Sequence, residues 1–139
     1  ANEYNKNTLN LTEGIIAMAR SDYSSQAPTL TTESYNSGSS QFFIMTSNEH
    51  TNLSGYYAGF GKVIEGLDVV KEISNVECKA KETSEENSED AEVSTPVTDV
   101  IISSVSVDTK GVNYGMPKTL QPFNYMKWLY AQYGLTYSK

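Results

Sequence analysis

The stretch Asn36-Ser37-Gly38-Ser39-Ser40-Gln41-Phe42-Phe43-Ile44-Met45-Thr46 holds the residues whose types and spacing could do chemistry. Ser, Gly and Asn suit a loop and Phe-Phe-Ile-x-Thr suits a strand, so a polar loop is predicted to enter a buried strand. Alternation along that strand puts Gln41 and Phe43 on one face and Phe42 and Ile44 on the other. An amide that donates and accepts then stands two residues from an aromatic plate. Such a pair could hold a small apolar ring and a neighbouring carbonyl at once. Phe43 alone is what an ordinary core would use. Gln41 is the sharper signal, because a glutamine between apolar residues needs a hydrogen-bond partner.

Other reactive side chains carry less. His50, the only histidine, has no acid placed beside it by motif and reads as an exposed loop residue. Cys78, the only cysteine, has no histidine near it and no activating neighbour. No glycine-rich phosphate loop, paired-carboxylate motif or metal-ligand cluster is present, so neither metal nor cofactor is expected.

These residues need elements to position them. Residues 15–19 are continuously apolar and read as a buried strand. Residues 21–40, rich in Ser and Thr, read as a loop. Residues 42–46 form the central strand, and 47–58 a loop with room for a short turn of helix. Phe60 to Ile64 is a further strand, and Gly66 to Ser74 a short helix with Leu67, Val70 and Ile73 on one face. Residues 79–92 carry dense negative charge without an apolar period, which marks an acidic solvated loop extending to about residue 96. Asp99 to Val107 returns to strand character, with a bend at Ser103-Ser104. Gln121 to Tyr133 carries helix signals, Pro122 at its first position and Gly134 after its last turn. Phe123, Met126, Tyr130 and Tyr133 share one face of that helix, beside Trp128 and Leu129, as a stripe expected to pack onto the domain.

Composition bounds the rest. A chain of 139 residues is one domain by default. Its net charge of -7 argues against nucleic acid or an anionic membrane as partner. No apolar run is long enough for a membrane span.

Three motifs in order resemble the cyclophilins, the peptidyl-prolyl cis-trans isomerases. They are Gly14-Ile15-Ile16-Ala17-Met18-Ala19-Arg20, Gly38-Ser39-Ser40-Gln41-Phe42-Phe43-Ile44, and the run from Leu53 through Gly59-Phe60-Gly61 to Val70. The resemblance implies a mainly β fold, the second half of a closed antiparallel barrel over residues 1–108, with 109–139 as a C-terminal extension carrying a helix. It implies isomerisation of X-Pro bonds, with proline-containing peptides or unfolded proteins as partners. Gln41, Phe43 and Tyr57 take the catalytic positions, Phe43 flooring the proline slot, Gln41 bonding the peptide backbone and Tyr57 standing where many members carry histidine. Ala19, Arg20, Asn52 and Leu53 take the substrate-binding positions. Asn52 follows a one-residue insertion in residues 47–51, and residues 21–40 are longer than the family usually has there.

The resemblance also exposes a gap. The family's Phe-His-Arg and Gln-Gly-Gly-Asp segment, which brings its catalytic arginine, matches nothing in the chain. Arg20, the only arginine, falls at a different position. Half a barrel leaves strand edges open. The expectation is therefore a fragment or complementing piece, inactive by itself and closed by an N-terminal half or by self-association. The motif wording looks bacterial. Cytoplasm and cell surface stay open as compartments, and any targeting segment would lie upstream of Ala1.

Overall fold

A computed structural model describes residues 9–80 and 93–138. They fall into two compact units, Ala1–Val63 with Met116–Lys139, and Ile64–Gly115.

The first unit is built on β1 (Ile15–Met18), flanked by β2 (Phe42–Ile44) and β3 (Gly59–Lys62) in the order β2-β1-β3, all antiparallel. Ile16 faces Ile44 and Ala17 faces Phe43 across one ladder. Across the other, Ile15 faces Lys62 and Ala17 faces Gly59, with a register shift between Ile16 and Ala17. One face of the sheet holds a small core of Leu11, Ile15, Ala17 and Met45, with Phe43, Leu53 and Tyr57 packed against it. Gly59 lies in a tight spot there. A Cβ would stand 3.3 Å from both Ile15 and Leu11 side chains, tighter than ordinary contact. The loop after β2 carries a 3-10 turn at Thr51–Leu53, and Ser54 Oγ accepts the Leu11 N–H at 2.9 Å.

Residues 21–40, expected as a loop, contain 3-10 turns at Tyr23–Ser25 and Pro28–Leu30 and a helix, α1 (Thr31–Tyr35). The elements are too short for an apolar period to announce them. They are fixed by a buried hydroxyl: Ser34 Oγ accepts from Tyr23 N–H (2.8 Å) and Ser24 N–H (3.1 Å) and donates to the Leu30 carbonyl (3.0 Å). Asp22 caps the first turn, accepting from Ser24 N–H and the Ser24 hydroxyl.

The second unit contains α2 (Leu67–Ser74), close to its expected span, and a hairpin of β4 (Cys78–Ala80) with β5 (Val93–Pro96). The hairpin corrects the acidic loop at both its ends: Lys79 pairs with Thr95. The rest of that loop, 81–92, lies outside the described residues. Asp99 to Val107 is not a strand, although its residues suit one, because no strand among the described residues pairs with it. None of the described residues of this unit is buried.

The C-terminal helix, α3 (Tyr125–Gln132), begins later than expected. Asn124 is its cap and accepts the Lys127 N–H at 2.8 Å, so Pro122 lies outside it. Gly134, at φ 66°, ends it. Leu135 N–H reaches the Tyr130 carbonyl and Gly134 N–H the Ala131 carbonyl, closing the exposed carbonyls of the last turn. The packed face also differs from the expected stripe. Tyr133 is 74% exposed and Met126 42% exposed. Contact is made instead by Phe123, edge-on to Tyr23, and by Tyr125, stacked between Tyr23 and Trp128. Altogether the described residues form two antiparallel sheets and three helices, a mixed α/β arrangement without a closed barrel.

Two outcomes follow for the 21–36 segment. Ser34→Ala strands the Tyr23 N–H, leaves the Ser24 N–H to Asp22 alone, and should cost about 1–3 kcal/mol in denaturant unfolding; an unchanged midpoint would contradict the hub. Asp22 is held below the ordinary carboxylate value chiefly by the Ser24 hydroxyl, with further help from the Ser24 N–H and the Arg20 charge, and desolvation opposing. Its contribution is therefore complete above the unfolded value and is lost as pH falls through the folded one. An NMR titration of Asp22 should show the midpoint return toward 3.8 in Ser24→Ala.

Candidate active site

Phe43 sits on β2 opposite Ala17, which is fully buried, so its ring rests on the core side of the sheet. It is nonetheless half-buried. Its ring meets Tyr57 edge-on, with centroids 5.2 Å apart and planes at 87°. The Tyr57 ring is also half-buried on the same core, as is Leu53 at the end of its 3-10 turn. An aromatic floor with an aromatic wall and an aliphatic wall packed on one cluster is a suitable seat for a small apolar ring.

Gln41 is exposed and lies one residue ahead of β2. Its carbonyl accepts the Ala19 N–H at 3.0 Å, which continues the β1–β2 pairing by one step and fixes the backbone from which the amide projects. The amide itself has no hydrogen-bond partner among the described residues. Asn52 is exposed on the Thr51–Leu53 turn, and no hydrogen bond ties it to this group. His50, exposed, precedes that turn.

Arg20 connects the seat to the segment that follows β1. Its Nε donates to the Tyr56 carbonyl at 2.7 Å and an Nη to the Ser21 carbonyl at 3.2 Å. Its guanidinium carbon stands 5.2 Å from the Tyr57 ring centre and 4.9 Å from that of Tyr35. Both distances are in the range of cation–π attraction. Tyr35, on α1, is thus part of the surroundings, and sequence reasoning missed it. A tyrosine in a Ser/Thr-rich stretch carried no period to mark it. Gly38, on the approach to β2, lies so close to β1 that a Cβ would stand 3.0 Å from Met18 Cγ. No group of His, Cys, Asp or Glu suited to a metal ion occurs among the described residues, and no helix among them is long and apolar enough to cross a membrane.

The sequence model of the cyclophilin type peptidyl-prolyl cis-trans isomerase/CLD family matches residues 1–107. The chain belongs to the cyclophilin family. Cyclophilins bind proline-containing peptides, and the class of this domain is that of a peptidyl-prolyl cis-trans isomerase. Comparison with curated proteins and with solved structures finds no match. The family's matched region includes β1, β2, β3 and the Phe43–Tyr57 seat of this cyclophilin, and ends before α3.

Because Arg20 joins Tyr35, Tyr57 and the Tyr56 carbonyl, Arg20→Ala should loosen the wall of the seat. We expect a loss of about 1–2 kcal/mol in unfolding free energy and displaced Tyr35 and Tyr57 ring resonances. Arg20→Lys should recover little of it, since an ammonium lacks the planar fork. Wild-type ring shifts in Arg20→Ala would refute the link.

Proposed function

We propose that this cyclophilin accelerates rotation about X-Pro bonds in flexible or unfolded chains, with Phe43 as the floor of the proline slot, Tyr57 and Leu53 as its walls and Gln41 as the group that holds the flanking backbone. The observation that carries this reading is the half-open Phe43 ring, edge-on to Tyr57, with the exposed Gln41 amide two residues away on the chain. The uncatalysed rotation faces about 18–20 kcal/mol. A millionfold acceleration needs about 8 kcal/mol of tighter binding to the twisted amide than to either planar isomer. Apolar seating and backbone hydrogen bonds supply part of this without nucleophile or metal. Ala19 and Arg20, at the end of β1, would lie along the peptide ahead of the proline, and Asn52 beside Leu53 at the rim.

The remaining ingredient is a cation near the proline amide. Arg20 already bonds two backbone carbonyls and lies against two rings. We therefore assign the cation to an N-terminal half that completes the barrel. Several features support such a partner. β2 and β3 are sheet edges in the described residues. Ile101, Ile102, Val105 and Val107 are each at least 70% exposed in a stretch with no strand partner among the described residues. Apolar surface of that extent marks an interface. Self-association is the competing way to cover it. By itself the chain, with its single arginine so placed, fits a proline-peptide-binding module.

The test is an isomerisation assay on an X-Pro peptide, run with the chain alone and with the N-terminal half supplied or fused. The chain alone should stay near background and the combination should accelerate. In the combination, Gln41→Ala should reduce kcat/KM by about 10–100-fold, with folding unaffected because the side chain is exposed. No acceleration by the combination, with peptide binding retained, would replace the isomerase by the binding module.

A further inference from the structure

The Arg20 side chain has more donors than its neighbours use. A guanidinium carries several N–H groups in one planar fork. Nε gives its proton to the Tyr56 carbonyl at 2.7 Å, and Nη1 gives one to the Ser21 carbonyl at 3.2 Å. Nη2 has no acceptor among the described residues, and no carboxylate among them forms an ion pair with Arg20. Asp22, the acid that feels the Arg20 charge, is committed to the N–H and hydroxyl of Ser24. The free edge is also within reach of a ligand. Arg20 is only half-buried, and none of its nitrogens is among the buried, unpartnered side-chain atoms of the described residues.

We propose that Arg20 selects the substrate: its Nη2 edge takes the carboxylate of a Glu or Asp lying one or two residues ahead of the proline in the Phe43 slot. The proposal rests on the peptide-binding reading above and names the class of peptide that reading left open. The chemistry of the occupant follows from the donor, since an unpaired guanidinium edge matches the two oxygens of a carboxylate. Its place along the peptide follows from the neighbours. The Tyr57 ring touches Phe43 and also lies against Arg20, so the charge stands one ring away from the floor of the slot. Arg20 directly follows β1, the end of which borders the peptide ahead of the proline in that reading. The side chain is held in advance by the Tyr35 and Tyr57 rings and by two carbonyls, so meeting a carboxylate costs it little further rotamer freedom. The same fastening that keeps the cation from the proline amide holds it ready for a neighbouring side chain. The described acids and bases of the first unit are equal in number, so no local excess of acid cancels the attraction.

The test has a sign of its own. The net charge of -7 would by itself make an acidic peptide bind more weakly than a neutral one of the same shape. The full chain is titrated, by fluorescence anisotropy, with labelled peptides carrying Glu-Glu-Pro, Gln-Gln-Pro or Glu-Glu-Ala. The Glu-Glu-Pro peptide should bind about 3–10-fold more tightly than its Gln counterpart, and this advantage should shrink as salt is raised. Glu-Glu-Ala should bind more weakly than Glu-Glu-Pro, because the carboxylate contact adds to the slot. In Arg20→Gln the Glu preference should vanish or reverse. That variant also loosens the seat, so the readout is the ratio of the two affinities within it, with circular dichroism to establish folding. Equal or tighter binding of the Gln peptide by the wild-type chain would overturn the proposal. So would a Glu advantage indifferent to salt, one that persists in Arg20→Gln, or equal binding of Glu-Glu-Pro and Glu-Glu-Ala. Failure of the underlying reading looks different: no proline peptide of either kind binds, and the proposal falls with it. A Glu preference without rate enhancement by the completed protein removes the isomerase alone and leaves the selectivity of Arg20 in place.

Discussion

Among the described strands of the first unit β1 alone is hydrogen-bonded on both sides, and the arrangement of the seat depends on it. Its Ala17 must be small, because Phe43 and Gly59 face it from opposite ladders while Ile15 and Leu11 close in beneath. A larger residue there would push the aromatic floor off the core or force the β3 backbone away. Gly59 answers the same constraint from the other strand: a Cβ would press to 3.3 Å on the Ile15 and Leu11 side chains. The floor of the candidate slot is thus set by two small residues rather than by any group that would touch a ligand.

From the end of β1 the chain makes a second kind of connection. Arg20 carries one charge between two tyrosine rings and fastens to backbone on both sides. Through it, the geometry of strand pairing is extended to a segment held by wholly different means, a serine hydroxyl shared among three backbone groups. That segment then receives the C-terminal extension through a run of stacked rings: Phe123 and Tyr125 on Tyr23, and Tyr125 on Trp128. Aromatic contacts of this sort bury much area for few lost rotamers, which suits an assembly whose aliphatic core is so small.

How much of this the sequence disclosed follows from which forces act locally. β1, the start of β2, and α2 were legible because an apolar run or a helical period records burial directly. The Gln41–Phe43 pair was legible because a glutamine beside two aromatics is an unusual neighbour, and the motifs around it named the family. Residues 99–107 misled for the converse reason: Val and Ile describe what a residue would do in a ladder, and a ladder needs a second strand. The turns at Tyr23–Ser25 and Pro28–Leu30 were hidden, since Ser34 holds them by hydrogen bonds to backbone groups that no residue type reveals. Hidden too was the start of α3, where Asn124 competed with Pro122 and an N-cap hydrogen bond decided the matter. The packed side also differed: Tyr125 and Trp128 lie in the aromatic run with Tyr23, while Met126 and Tyr133 are exposed.

The second unit buries none of its described residues, and this bears on turnover in the cell. A segment with so little of its surface withdrawn from water has little free energy of its own to resist opening, and cleavage of an opened segment removes it irreversibly. The second unit would therefore be the first part of the chain to be cut, and the lifetime of the whole would follow how often that unit opens.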